Sequence, residues 1–275
     1  MAFNTCMKIM PINISQQKQP AFQSCFRTYP SKTIKNFDIF GKDTVRTSTN
    51  LFREDLDWFG LVKFMDNHFK DKDKVNIFSL ACSDGSESYT MAISILENLP
   101  ENIKSKFLPI FASDIDKEVI KAAKTGRINI LSIEFLLPER TYKCNVEKYF
   151  DNRSVSMMID GDDISETDTI FSYQPIKELK DSAIFKHSDI LTELNSLKDS
   201  GNSVILCRNV FPYIEESHKN EIVNSAKQNL KQGSLFVIGD YDGFTDVEQR
   251  LLANGFVQPL FDSRVEYSNN IFMRI

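Results

Sequence analysis

The sequence lacks the residues that most metal sites and disulfide frameworks need. Its three histidines, His68, His187 and His218, lie far apart, and its five cysteines include no C-x-x-C pair. An odd number of scattered cysteines is a poor basis for a disulfide framework or a zinc site. We therefore expect no metal site, and we interpret the cysteines as buried or idle thiols.

Long apolar runs are also missing. No window approaches the roughly 20 apolar residues that a membrane-spanning helix needs. Residues 1–20 contain two lysines but no continuous apolar stretch followed by small residues. We therefore expect neither a secretory signal nor insertion into a membrane, and we predict a cytoplasmic protein.

The chain has no excess of basic charge. Its 275 residues include 33 basic and 38 acidic side chains, without a basic block that would follow a phosphate backbone. Nucleic acid is therefore not an expected partner. The apolar share of 41% and the charged share of 26% are typical of a globular protein of one large domain.

Short apolar runs alternate with helical patterns along most of the chain. Strand-like runs occur at 75–81, 108–112, 183–186, 203–207 and 234–238, and helix-like patterns at 87–99, 116–124 and 215–230. This alternation predicts a mostly parallel sheet with helices on both faces, that is, a Rossmann-like α/β fold. Two further runs, 256–261 and 265–274, predict an antiparallel hairpin that closes the sheet edge.

Three segments fall outside this alternation. Residues 1–45 are polar and show no sustained period, which predicts an irregular N-terminal arm. Residues 55–69 have apolar side chains at helical spacing and predict an amphipathic helix. Residues 128–181 are too many for a structureless loop, so we predict a small insert with strands at 155–159 and 169–173.

Ligands of open α/β sheets bind beyond the carboxyl ends of the strands. The turn after the first strand contains Gly85, which would let backbone approach a ligand, and leads into a helix whose start favours an anion. Its single glycine does not make the G-x-G-x-x-G pattern of dinucleotide sites. The alternative is an ordinary strand-to-helix turn capped by Ser83.

Polar residues follow two other strands. Asp114, after the second strand, is placed to accept hydrogen bonds from ribose hydroxyls, although a helix N-cap is an equally good interpretation. Arg208 and Asn209 directly follow a buried run, which predicts either a cleft or a structural ion pair at the sheet end. Upstream, residues 47–54 combine hydroxyls with Arg53, and by themselves suggest only a helix start capped by Thr49 or Asn50.

Taken together and in order, these four stretches resemble the CheR-type chemotaxis receptor methyltransferases. The likeness covers about residues 44–240 and rests on RTSTNLFRE at 46–54, SLACSDGSESY at 79–89, FASDID at 111–116 and LCRNVFPYI at 206–214. It implies the Rossmann-like fold of class I methyltransferases, with a seven-stranded sheet, over residues 46–275. It also implies S-adenosylmethionine as cofactor and glutamate side chains of a receptor-like protein as methyl acceptors.

The resemblance also implies roles for individual residues. Glu87 would bind the ammonium of the cofactor, Asp114 its ribose, and Asp189 with Ile190 its adenine, although the family has Asn at position 189. Arg53 and Tyr213 would border the reactive methyl as catalytic residues. The full set of expected cofactor contacts is Thr47, Thr49, Arg53, Ala81, Gly85, Glu87, Asp114, Asp189, Ile190, Arg208 and Asn209.

Two other functions stay open at this stage. The first is a degenerate relative that binds S-adenosylmethionine without transferring a methyl group and acts as a sensor or scaffold, because the N-terminal region is short and the first loop is altered. The second is a nicotinamide dehydrogenase, which the single glycine of the first loop disfavours. The sequence does not identify the acceptor or the oligomeric state.

Overall fold

The computed structural model describes residues 49–158, 169–260 and 270–275. The helices are α1 (Trp58–His68), α2 (Ser86–Asn98), α3 (Glu101–Phe107), α4 (Lys117–Thr125), α5 (Ser132–Tyr142), α6 (Lys177–Asp181), α7 (Ile190–Asn195), α8 (Glu216–Asn229) and α9 (Val247–Ala253). The strands are β1 (Asn76–Leu80), β2 (Ile110–Asp114), β3 (Ile128–Leu131), β4 (Phe150–Met158), β5 (Thr169–Pro175), β6 (Ala183–His187), β7 (Ser203–Leu206), β8 (Leu235–Val237), β9 (Phe256–Val257) and β10 (Ile271–Arg274).

The main sheet has seven strands in the order β6-β2-β1-β7-β8-β10-β9. The first five are parallel to one another, and β10 pairs antiparallel with both β8 and β9. The predicted α/β fold is therefore confirmed, and so is the antiparallel pairing at the C-terminal edge. Most of the segment between β9 and β10, residues 261–269, lies outside the described residues.

The strand order reverses in the middle of this sheet. From β1 the chain continues outward on one side to β2 and β6, and then crosses back to β7 and β8 on the other side. The two directions separate between β1 and β7, so the loops beyond their carboxyl ends diverge and leave a crevice. The fold thus places the loops after β1 and β7 side by side.

Helices cover both faces of the sheet because successive strand residues point to opposite sides. Ile77 of β1 belongs to the core that also holds Trp58 and Tyr89, whereas its neighbour Phe78 belongs to the core that holds Phe211 and α8 side chains. Strands that bury both faces are apolar throughout, which is why they appear in the sequence as continuous apolar runs.

A second sheet of three antiparallel strands, in the order β3-β5-β4, is built between residues 128 and 175. The candidate strands at 155–159 and 169–173 fall within β4 and β5, apart from residue 159, which the structure does not describe. Strand β3 and helix α5 were not predicted. Arg153 lies with its guanidinium carbon 3.6 Å from the centre of the Phe171 ring and packs one face of this sheet.

Helix α1 begins three residues later than the predicted start at Asp55. Its N-cap is Asp57, whose side chain accepts a hydrogen bond from the backbone N–H of Gly60 at 2.9 Å. The suggestion that Thr49 or Asn50 caps this helix is therefore wrong. Because Asp57 performs the capping, Asp55 lies outside the helix.

Candidate active site

The turn after β1 has an unusual backbone. Ala81, Ser83 and Gly85 all have positive φ angles, of 56°, 52° and 92°. Gly85 is the N-cap of α2, so the alternative that Ser83 caps this helix is wrong. A Cβ added at Gly85 would lie 2.7 Å from the ring of Phe185. Backbone conformation and this ring therefore require glycine here, independently of any ligand.

Asp114 ties this turn to the end of β2. One carboxylate oxygen accepts a hydrogen bond from the backbone N–H of Ser83, and the other accepts one from Asp116, both at 2.9 Å. The N-cap of α4 is Asp116, so the N-cap interpretation of Asp114 is wrong. Burial raises the pKa of Asp114 above its ordinary value.

Ser83, whose backbone binds Asp114, and Ser113, the neighbour of Asp114 in β2, each carry an unused polar atom. The side-chain hydroxyls of Ser83 and Ser113 are buried and have no hydrogen-bond partner among the described residues. Buried hydroxyls without partners are costly, and natural proteins seldom keep them unless water or a ligand binds there. The edge formed by the loops after β1 and β2 therefore has donor and acceptor capacity for a polar ligand.

Asp189 lies at the neighbouring end of β6. The backbone N–H of Ser188 donates to the carbonyl of Asp114 at 3.0 Å, which joins the two strand ends. The Asp189 carboxylate caps α7 through the backbone N–H and hydroxyl of Thr192, at 2.9 and 2.5 Å. Ile190, the first residue of α7, is partly buried against the second core. The pair thus borders the same edge as Asp114.

Arg208 follows β7 and is fully buried. Its guanidinium forms ion pairs with Asp55 and with Glu87, the latter at 3.1 Å, and its carbon lies 4.7 Å from the centre of the Trp58 indole. Burial opposes the charged form, but the two carboxylates outweigh it and raise the pKa of Arg208. The structural ion pair considered for this residue is therefore present, and it lies in the crevice between β1 and β7.

Glu87 uses both carboxylate oxygens in this cluster. One accepts a hydrogen bond from the Ser79 hydroxyl at 2.9 Å, and the other accepts from Arg208. Its place on the first turn of α2 brings it back over the end of β1. The expected ammonium contact of Glu87 would thus share a carboxylate that already pairs with Arg208.

Asn209 adopts a left-handed conformation, with φ of 57°. Its side-chain oxygen accepts a hydrogen bond from the backbone N–H of Tyr241 at 3.2 Å, and its side-chain nitrogen lies 3.5 Å from Asp55. Its own backbone N–H donates to Asp242 at 2.6 Å. The residue is held by contacts from two other segments, the chain before α1 and the loop after β8.

Among the remaining expected site residues, Arg53 lies near the charges of Arg208, Asp55 and Glu87. Arg53 is half-buried, and both burial and the nearby Arg208 lower its pKa, whereas the charge of Asp55 raises it. Thr49 is buried just upstream. Tyr213 ends a short 3-10 turn after β7 and is 37% exposed. Thr47 lies outside the described residues.

Two aspartates that organise this site, Asp55 and Asp242, were not predicted from the sequence. Asp55 was assigned to the helix, and nothing in the pattern of apolar residues distinguishes it from a solvated helix residue. Asp242 follows β8 in GDYDG, where a second acidic residue after a buried strand was an available signal. Its carboxylate is fully buried and accepts four backbone N–H groups.

The part of the chain that the structure describes contains neither a metal-binding cluster nor a membrane-spanning helix. No cluster of three or more His, Cys, Asp or Glu side chains there is arranged to hold a metal ion. No helix in the same ranges is both long enough and apolar enough to cross a membrane. Cys82, Cys144 and Cys207 are buried free thiols.

Comparison with known proteins identifies the family. The family profile described as CheR methyltransferase, SAM binding domain, matches residues 47–254. A chemotaxis protein methyltransferase of Listeria monocytogenes is 23% identical over 228 residues, which cover 82% of this chain and 76% of that protein.

Two further relatives match over a smaller part of their length. Chemotaxis protein methyltransferase 2 of Vibrio cholerae is 25% identical over 173 residues, 63% of this chain and 53% of that protein. The chemotaxis protein methyltransferase of Escherichia coli K12 is 25% identical over 182 residues, 65% of this chain and 56% of that protein. The chain thus spans about half the length of these two relatives. Since the profile covers most of the sequence, the chain belongs to the CheR methyltransferase family and carries its S-adenosylmethionine-binding domain.

Proposed function

We propose that this protein transfers a methyl group from S-adenosylmethionine to the carboxylate of a glutamate side chain in another protein. The observation that carries the proposal is that Arg208 pairs with Glu87 and, through Asp55, is linked to Asn209 in the crevice between β1 and β7. Ligands of open α/β sheets bind at such a switch point. Family membership supplies the cofactor class, and the relatives' names, chemotaxis protein methyltransferases, favour a protein acceptor.

The residues at this edge suit a nucleoside that carries an amino acid. The Asp114 carboxylate accepts the backbone N–H groups of Ser83, Asp116 and Ile115, and its two oxygens together offer four acceptor positions, so capacity for a ribose hydroxyl remains. The unpartnered hydroxyls of Ser83 and Ser113 lie at the same edge. Glu87 offers negative charge for the α-ammonium, and Asp189 with Ile190 would border the adenine. Thr49, Ala81 and Gly85 would complete the surface around the cofactor.

The reaction asks little acid–base chemistry of the protein. When bound, the cofactor supplies a methyl group that its sulfonium has already activated. A glutamate acceptor is ionised at neutral pH, so no general base has to remove a proton from it. Burial raises the pKa values of the Cys82 and Cys207 thiols well above the ordinary value for cysteine. Both thiols therefore stay protonated and unreactive.

Arg53 is the residue we assign to the acceptor. It is a half-buried cation close to the Arg208, Asp55 and Glu87 charges, and a partly desolvated guanidinium orients a carboxylate through paired hydrogen bonds. Holding the acceptor in line with the methyl group supplies the catalytic effect. Tyr213, at the exposed end of its turn, would shape the entrance for the acceptor side chain.

A transfer assay with labelled cofactor tests this assignment. The purified chain is incubated with methyl-labelled S-adenosylmethionine and with glutamate-containing helices from receptor-like proteins. Product esters are recognised because base releases the label as methanol. We expect Arg53→Ala to lower transfer by about a hundredfold or more while cofactor affinity changes little, because the lost contact acts on the acceptor.

Lys63→Ala is the matched control, since it removes an exposed cation from α1. It should leave transfer unchanged. Cofactor binding without any labelled product across receptor helices, other proteins and small carboxylates would contradict the proposal and favour the binding-only alternative. Unchanged turnover in Arg53→Ala would refute the role of Arg53.

A further inference from the structure

Asp55 lies between Arg53 and α1 and makes two separate sets of contacts. One carboxylate oxygen pairs with the guanidinium of Arg208. The other accepts the backbone N–H of Asp240 at 3.1 Å and lies 3.5 Å from the side-chain nitrogen of Asn209. Asp55 therefore joins the chain before α1 to the loops after β7 and β8.

The pairing with Arg208 matters because that guanidinium has no access to solvent. Its side chain is 0% exposed, and its ion pairs among the described residues are with Asp55 and Glu87. A buried cation that loses one of two partners draws more strongly on the other, since water cannot replace the lost charge. Burial alone would raise the pKa of Asp55, yet the charge of Arg208 contributes to holding it below its ordinary value.

Glu87 is the group for which Arg208 and a ligand cation would compete. Its carboxylate oxygen that faces Arg208 is 3.1 Å from the guanidinium nitrogen. Arg53 is a second cation near this site, and the charges of Arg208, Asp55 and Glu87 influence its pKa. Without the charge of Asp55, Glu87 would be the one carboxylate left in contact with Arg208 among the described residues, and an ammonium would have to compete with that buried cation for it.

We infer that Asp55 is a positioning residue that neutralises Arg208 and so leaves the charge of Glu87 available to the α-ammonium of the cofactor. This inference rests on the proposed function, because it assigns the ammonium to Glu87. Asp55 itself need not touch the ligand. It sets how strongly the site distinguishes a ligand that carries the ammonium from one that does not.

Isothermal calorimetry with two ligands measures that distinction. The probes are S-adenosylhomocysteine and its analogue that lacks only the α-ammonium. The measured quantity is the dissociation constant of the analogue divided by that of S-adenosylhomocysteine. General effects on the nucleoside site cancel in this ratio. We expect Asp55→Asn to reduce this ratio about tenfold, which corresponds to about 1.4 kcal/mol. A loss of packing alone would weaken both ligands equally and leave the ratio unchanged.

Three variants complete the design. Asp71→Asn makes the same charge change on an exposed residue and should keep the parent ratio. Asp55→Glu restores the charge and should keep the ratio within about threefold of the parent value, or about 0.7 kcal/mol. Asp55→Asn combined with Arg208→Met also removes the uncompensated cation, so the ratio should rise again towards that of the parent.

The outcomes separate this inference from the proposed function. Failure of the parent chain to bind S-adenosylhomocysteine would contradict the proposed function and this inference with it. Binding by the parent with an unchanged ratio in Asp55→Asn would overturn the inference alone. If Asp55→Asn does not fold, the double variant and Asp55→Glu decide, because a low ratio in both would also overturn it.

Discussion

Asp242 holds Asn209 by its backbone: a carboxylate oxygen of Asp242 accepts the N–H of Asn209 at 2.6 Å. The same oxygen accepts the N–H of Gly239, and the other oxygen accepts those of Val210 and Phe211. A single buried side chain therefore fixes the loop after β7 to the loop after β8. It also helps to keep Asn209 at a positive φ angle, which costs conformational energy.

Asp242→Asn should destabilise the fold strongly. An amide has one oxygen, so its nitrogen must face two backbone N–H groups and leave them without an acceptor. We expect the two unsatisfied N–H groups to outweigh the relief of no longer burying a charge, so the free energy of unfolding should fall by about 2 kcal/mol and cofactor affinity should fall with it. Urea denaturation measures the first effect, and calorimetry measures the second.

Asp246→Asn serves as the control for this substitution. Asp246 is more than half exposed and pairs with Arg250 on the surface, so its loss should cost about 0.5 kcal/mol. Equal destabilisation by the two substitutions would contradict the bracing role of Asp242.

The ionisation of Asp242 gives a prediction about pH. Burial raises its pKa from 3.8 to about 6, against the effect of its four backbone hydrogen bonds. Between about pH 4 and 6 the folded chain thus binds a proton that the unfolded chain does not. The contribution of this group to stability is full below pH 4 and is lost as the pH rises through 6, by up to about 3 kcal/mol.

Nuclear magnetic resonance of carbon-13-labelled aspartate carboxyl groups checks this directly. One resonance that disappears in Asp242→Asn should titrate with a midpoint near the raised value. A midpoint below the ordinary value of 3.8 would show that the hydrogen bonds, not burial, dominate. The titration of a single carboxyl is chosen because other groups also affect stability in this range.

The main sheet could be predicted because its strands are apolar on both faces. The five parallel strands, and the three helices that were predicted between them, begin and end within two residues of their predicted positions. The elements that were missed have weaker patterns. Helix α5 contains Pro138, which disfavours a helix interior, and α3 is only seven residues long.

The site was predicted less completely because its contacts join distant segments. Glu87, Asp114 and Asn209 follow strands, and the rule that ligands bind there singles them out. The partners of Arg208 could not be identified in this way. Asp55 is separated from it by 153 residues, and only the folded arrangement shows that a residue before α1 faces the end of β7.

Gly239 gives a test of how closely Asn209 is packed. A Cβ at Gly239 would overlap the side-chain amide of Asn209, so Gly239→Ala should displace that amide from Asp55 and Tyr241. We expect a loss of cofactor affinity of about tenfold, from the hydrogen bonds that move. Gly243→Ala is matched in chemistry and has no atom within 4 Å of the added carbon, so affinity should stay at the parent value. Equal affinities of the two variants in calorimetry would show that Asn209 adapts.

Gly85 tests whether the turn after β1 depends on backbone conformation or on packing. Gly85→Ala places a methyl group at a φ of 92° and 2.7 Å from the ring of Phe185. Gly201→Ala has a similar φ of 80° with no atom within 4 Å, so it should show the conformational cost alone, about 1 kcal/mol. We expect Gly85→Ala to cost about 3 kcal/mol in urea denaturation, because the contact adds to the strain.

Combining Gly85→Ala with Phe185→Leu should then cost less than the sum of the two single effects, since a smaller side chain relieves the overlap. Strict additivity in this cycle would mean that Phe185 does not restrict the residue at position 85, and that the backbone angle by itself requires glycine there.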